Sequence, residues 1–173
     1  MARSITHVAL LGGINVGGHR VTMDRLRTEV EALGFTDVST FIASGNVRFD
    51  APPGAHHDEQ IAAGLAAAFG WPVPTFVRTA AELVHAVDLR PFGTVPEGHT
   101  HMVAFCRTEP SHAIEAESTD HEQFEVHGAD LHWHLAGGLM SSALTLPKVA
   151  KLLGQPCTTR NMNSLQKWAD TLR

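Results

Sequence analysis

The strongest constraint in this chain is an order of hydrophobic periods. Short strand-like runs and helix-like stripes follow one another as β-α-β-β-α-β, and the order then recurs. Ile5 to Leu11 is a largely apolar run with β-branched members, the pattern of a strand. After a glycine-rich loop, Thr22 is placed to cap a helix with Met23, Leu26, Val30 and Leu33 along one stripe and Gly34 at its end. Residues 38–42 and 47–49 read as two strands joined by the turn Ser44-Gly45-Asn46. Asp58 is placed to cap a second helix that carries Ile61, Leu65 and Phe69 on one side, with Gly64 inside it and Gly70 closing it. A fourth strand over 73–77 contains Pro74, which implies an edge position or a strand start.

Thr79-Ala80-Ala81-Glu82 has the spacing of a capping box and opens a connecting helix that Arg90-Pro91 stops. The Gly- and Pro-containing stretch 93–100 reads as a linker. The order then repeats: a strand over 102–106, a short helix capped by Ser111, and a hairpin around Gly128-Ala129. A helix opened by Pro147 and closed by Gly154 follows, then a brief strand over 156–159 and a last helix capped by Asn161. In the second hairpin strand Leu131, Trp133 and Leu135 face one way while His132 and His134 face the other. The expected class is α+β: two ferredoxin-like β-α-β-β-α-β units, with additional connecting and C-terminal helices. Their expected extents are residues 1–78, 79–100 for the connection, and 101–173.

A sheet face packed on two helices needs ample apolar material, and 43% hydrophobic residues over 173 supply it. No run reaches the roughly 18 apolar residues of a bilayer span, and the opening apolar run reads as a strand rather than a secretory signal. Cys106 and Cys157 form no CxxC pair, so neither a zinc knuckle nor a disulfide framework is implied. With that signal absent, a cytoplasmic protein is expected. A net charge of −5 and scattered basic residues argue against nucleic acid as the partner.

Three polar stretches carry the candidate chemistry. Gly12-Gly13-Ile14-Asn15-Val16-Gly17-Gly18 follows the first strand. It lacks the Lys-Ser/Thr of a phosphate loop, so it is either a tight structural loop or a ligand-facing one through Asn15, Gly17 and Gly18. Ser44, Gly45 and Asn46 form a turn and lack the surrounding glycines of a hydrolase elbow. Thr158, Thr159, Arg160, Asn161 and Asn163 bracket a helix start, where unpaired amides, the helix dipole and a guanidinium suit an anion. The pairs His99/His101 and His132/His134 could gather four imidazoles from neighbouring strands, but no fixed spacing to an acid accompanies them, and no metal or cofactor is assigned. The expected partner is an anionic small molecule; the alternative is an interaction module that forms a homodimer. No reaction is assigned.

The segments ALLGGINVGG, LGFTDVSTFIASGNVRF and TTRNMNSLQKW together resemble the hallmark segments of the DUF1697 family of small bacterial proteins. The resemblance implies two linked ferredoxin-like units, and it maps the family's recurrent polar positions onto Asn15, Gly17, Gly18, Ser44, Gly45, Asn46, Thr159, Arg160, Asn161 and Asn163. This chain departs from the family pattern at Gly12, where arginine is usual, and at Met162, where tryptophan is usual.

Overall fold

A computed structural model describes residues 3–54 and 56–173. The chain divides into two compact units, Met1–Leu83 and Val84–Arg173. Each is an α+β assembly around one four-stranded antiparallel sheet.

The first unit runs β1 (Ile5–Leu11), α1 (Met23–Ala32), β2 (Thr36–Thr40), β3 (Asn46–Ala51), α2 (His57–Phe69) and β4 (Thr75–Thr79), with sheet order β2-β3-β1-β4. β4 is thus an edge strand. It begins just after Pro74, which cannot donate to a ladder. The core gathers Ala9 and Leu11 of β1, Val47 and Phe49 of β3, Leu26 and Val30 of α1, and Ile61 and Leu65 of α2. The Thr22 cap forms as the spacing predicts, its hydroxyl accepting from the Arg25 amide. Gly64 proves to be a packing residue: a Cβ there would stand 2.4 Å from Leu33 Cδ2, so its cost in helix propensity accompanies the close approach of α1 and α2.

Asp58 does not cap α2. The cap residue is His56, in a left-handed conformation (φ 79°) and without a side-chain bond to the helix, and its carbonyl accepts from the Gln60 amide. Because the helix begins two residues earlier than the spacing suggests, Asp58 lies in the first turn, where its carboxylate accepts from the Glu59 amide. The fourth strand likewise lies two residues later than its apolar run implies. Its start is set by pairing with β1, where Leu11 meets Thr75.

The second unit follows α3 (Ala80–Leu89), within which the division falls, and runs β5 (Thr100–Phe105), a 3₁₀ segment (His112–Glu117), β6 (Glu122–His127), β7 (Asp130–Leu135), α4 (Leu146–Leu153), β8 (Thr158–Asn161) and α5 (Met162–Asp170). The sheet order, β6-β7-β5-β8, repeats that of the first unit position for position. The Thr79–Glu82 capping box closes both ways: the Thr79 amide donates to Glu82 Oε2 (2.7 Å) and the Glu82 amide donates to Thr79 Oγ1 (3.1 Å). Leu131, Trp133 and Leu135 enter the core with Met102, Ala104 and Ile114, as the alternation predicts. The Trp133 indole N–H, fully enclosed, donates to the buried Glu122 carboxylate at 2.9 Å, and the Ala143 amide and the Ser142 hydroxyl donate to the same group.

Glu122→Ala therefore strands the Trp133 indole donor in the core. The expected loss is about 2–3 kcal/mol of unfolding free energy, measured by urea denaturation.

Candidate functional site

In the first unit two of the polar stretches meet. The Asn15 side chain donates to the Ala43 carbonyl (3.2 Å) and accepts from the Val21 amide (2.9 Å), which ties the glycine loop both to the turn after β2 and to its own exit. The Leu11 amide donates to the Gly45 carbonyl (2.8 Å). Gly45 is buried with φ 77°, and a Cβ there would lie 3.1 Å from the Leu11 Cβ and 3.2 Å from the Ile14 Cβ. Asn46 is buried and turned inward, donating to the Phe41 carbonyl and to Ser44 Oγ. These residues therefore knit a turn. Gly17 and Gly18, by contrast, are exposed with positive φ. Exposed Ile42, a β-branched residue, is held at φ 50°, a costly conformation for such a side chain.

In the second unit the stretch 158–163 splits by strand alternation. Thr158 and Arg160 are buried. Arg160 Nη1 donates to Thr158 Oγ1 and to the Thr159 carbonyl, both at 2.9 Å, and burial draws its guanidinium pKa down to about 10. Asn161 caps α5, its Oδ1 accepting from the Asn163 amide at 2.8 Å. Asn161, Met162 and Asn163 open onto a pocket of about 390 Å³, whose other walls include Arg90, Gln166, His99, His101 and the 93–98 turn. Thr158, Thr159 and Arg160 are not part of that lining. The exposed cation in the pocket is Arg90, whose Nη2 donates to Gln166 Oε1 at 2.9 Å. Sequence reasoning took Arg90 as a helix stop before proline. What marks it in the structure is its φ of 40°, unusual for a residue with a side chain.

The four imidazoles that the strand register brings together bond in pairs. His99 Nδ1 lies 3.1 Å from His134 Nε2, and His101 Nε2 lies 3.0 Å from His132 Nδ1. One nitrogen of each pair must donate and the other accept, so each ring is satisfied at that nitrogen while neutral, whereas the buried His132 Nε2 and His134 Nδ1 have no hydrogen-bond partner among the described residues. Burial, and then the neighbouring imidazole, lowers His101 to about 4 and His132 to about 3; the same causes lower His134. Among the described residues no three His, Cys, Asp or Glu side chains are gathered as a metal site.

A family profile described as "Protein of unknown function (DUF1697)" matches residues 5–132, about three quarters of the chain. The chain belongs to the DUF1697 family. Among solved structures this DUF1697 protein is similar to the conserved bacterial protein SP0830 from Streptococcus pneumoniae, with 20% identity, a TM-score of 0.71, and coverage of 98% of this chain and 99% of that one. At that identity the likeness speaks for the fold alone. No curated protein matches. No helix among the described residues is long and apolar enough to cross a membrane.

Two outcomes follow from this geometry. Gly45→Ala places a Cβ against Leu11 and Ile14 at a left-handed backbone position, and is expected to cost about 2–3 kcal/mol in chemical denaturation. The histidine pairs make the fold acid-sensitive. Native His101 and His132 stay neutral while the unfolded chain takes up protons below pH 6.5, so stability is full above that pH and falls as the solution is acidified towards the native values. The expected loss is on the order of 2 kcal/mol per imidazole at pH 4, read from urea midpoints across the range.

Proposed function

We propose that this DUF1697 protein binds a small anionic ligand in the pocket at the start of α5. The observation that carries the reading is Arg90. It is exposed on the pocket wall and hydrogen-bonded to a neutral amide, so its charge is not spent on a carboxylate among the described residues. Asp88, which feels the charge of Arg90, gives both oxygens to Arg173. Glu97 is the single acid of the lining, at its exposed edge. The positive end of α5, the amide-bearing Asn161 and Asn163, and the half-buried His99 complete a wall of donors and neutral groups. The 93–98 turn, and not the Gly12–Gly18 loop expected from the sequence, forms a wall of this pocket, and Arg160 is held within β8 by Thr158 Oγ1 and the Thr159 carbonyl.

The strand order, with the first strand between the third and fourth in both sheets, supports reading each unit as ferredoxin-like. Neither cysteine, one buried and one half-buried, forms a disulfide, which fits a cytoplasmic protein. A second reading, a homo-oligomerisation module, draws on Val16 (58% exposed) and Ile42 (50% exposed), which project from the two loops joined by Asn15. Light scattering at high concentration separates the two readings.

A thermal-shift screen of phosphorylated metabolites and carboxylates tests the anion site. A ligand that raises the melting temperature is expected to lose about tenfold in affinity in Arg90→Gln, the value of one charge-assisted hydrogen bond. No shift from either class, or an affinity untouched by the substitution, overturns the reading.

A further inference from the structure

His99 and His101 both line the pocket at the start of α5, and their hydrogen bonding fixes how much positive charge that pocket holds. Two neutral imidazoles have four ring nitrogens and two protons. In each of the pairs His99/His134 and His101/His132 one proton lies between the facing nitrogens, which leaves one for the two outer nitrogens. Those outer nitrogens are unequal. His134 Nδ1 and His132 Nε2 are fully enclosed and have no hydrogen-bond partner. His99 Nε2 and His101 Nδ1 also lack a partner among the described residues, but neither is enclosed. His101 is only 6% exposed, so the little surface it keeps includes this nitrogen, on a ring that lines the pocket.

Orphaned N–H groups are rarer in protein interiors than under-satisfied acceptors. The remaining proton of each pair therefore sits on the outer nitrogen that is open, Nε2 of His99 and Nδ1 of His101. Each ring thus offers a neutral N–H donor. A third proton on either pair must go to the enclosed nitrogen, where it adds both a charge and an unpaired donor out of water. Burial, followed by His134 and Arg90, accordingly lowers the pKa of His101 to about 4. Phe92 seats the rings, edge-on to His101 at 5.2 Å and tilted against His134 at 5.6 Å. The histidines add donors without adding charge. Arg90 is the one Lys or Arg of the lining, and Glu97 is its one acid.

From this arrangement we infer that the pocket selects a monoanionic carboxylate over a dianionic phosphate ester, with Arg90 meeting the charge and His99 and His101 donating to oxygens of the ligand. The inference rests on the anion reading above and names the class of ligand. A planar guanidinium matches a carboxylate with two parallel donors. Gln166 takes one bond from Arg90 Nη2, and no other partner of that guanidinium stands among the described residues, so donors remain for one such group. A second negative charge drawn out of water would meet no second cation there. The cavity of about 390 Å³ lies within the range of small-molecule sites and has room for a substituent beyond the carboxylate.

The test uses the full chain at about pH 7.5, where a phosphate monoester carries close to two charges. Imidazole ¹⁵N resonances of the free protein are expected to show His99 protonated at Nε2 and His101 at Nδ1. Calorimetric titrations then compare two matched pairs of probes, glycerate with glycerol 3-phosphate and benzoate with phenyl phosphate. The carboxylate of a pair is expected to bind about tenfold more tightly than its phosphate. His99→Phe, which keeps a ring and removes the donor, is expected to lose about tenfold in carboxylate affinity, and His99→Gln, which keeps an amide donor, to lose less. Far-UV circular dichroism checks that both variants fold. Phosphates that bind as tightly as their carboxylates, and lose that affinity in Arg90→Gln, overturn the carboxylate preference while the anion reading stands. Protons found on the enclosed nitrogens of the free protein overturn the donor arrangement, whichever anion binds. Binding of none of the four probes overturns both.

Discussion

Antiparallel pairing of the fourth strand with the first, β4 on β1 and β8 on β5, is the interaction on which the rest of this structure depends. It places the first strand in the interior of each sheet, where Val8, Ala9 and Leu10, and likewise Val103, Ala104 and Phe105, are enclosed on both faces. It also delivers the end of the last strand, and the helix that starts there, next to residues near the beginning of the unit. His7 lies opposite Thr79, and Met102 opposite Asn161. A pocket sits at that junction in each unit, lined by His7 and Thr79 in the first and by His101 and Asn161 in the second.

The junction carries a buried cation in each unit. Arg78 pairs with Val8 in β1 and Arg160 with Val103 in β5; each is 9% exposed and donates Nη1 to the carbonyl of the residue before it. An arginine taken out of water is tolerated only where acceptors meet its donors, and each of these side chains finds such acceptors within its own strand. This is why the surface cation of the second pocket is Arg90, although Arg160 is the more conspicuous residue in the sequence.

Local physics was legible in advance. The Thr22 and Asn161 caps, the Thr79–Glu82 box, the left-handed Gly154 and the alternation of Leu131, Trp133 and Leu135 each depend on neighbours within a few residues. Element limits drifted where a long-range partner set them. Pairing with β1 starts β4 at Thr75, and His56 begins α2 through a conformation that its residue type does not announce. The family segments pointed to the glycine loop and the Ser44–Asn46 turn without showing that Asn15 and Gly45 join them, because a hydrogen bond across 28 residues has no local signature.

Taken alone, the sequence determined the α+β class, the twofold order of elements and most helix ends, since periodicity and capping are short-range effects of side-chain shape and backbone donors. The tertiary structure alone decided which polar groups are spent and which remain available. Arg160 and Asn46 turn inward, the four histidines of the second sheet bond to one another in pairs, and Arg90 faces open space. The reason is that a donor or acceptor is free only when no partner stands within about 3 Å of it, and such partners come from strands that meet through the sheet rather than along the chain.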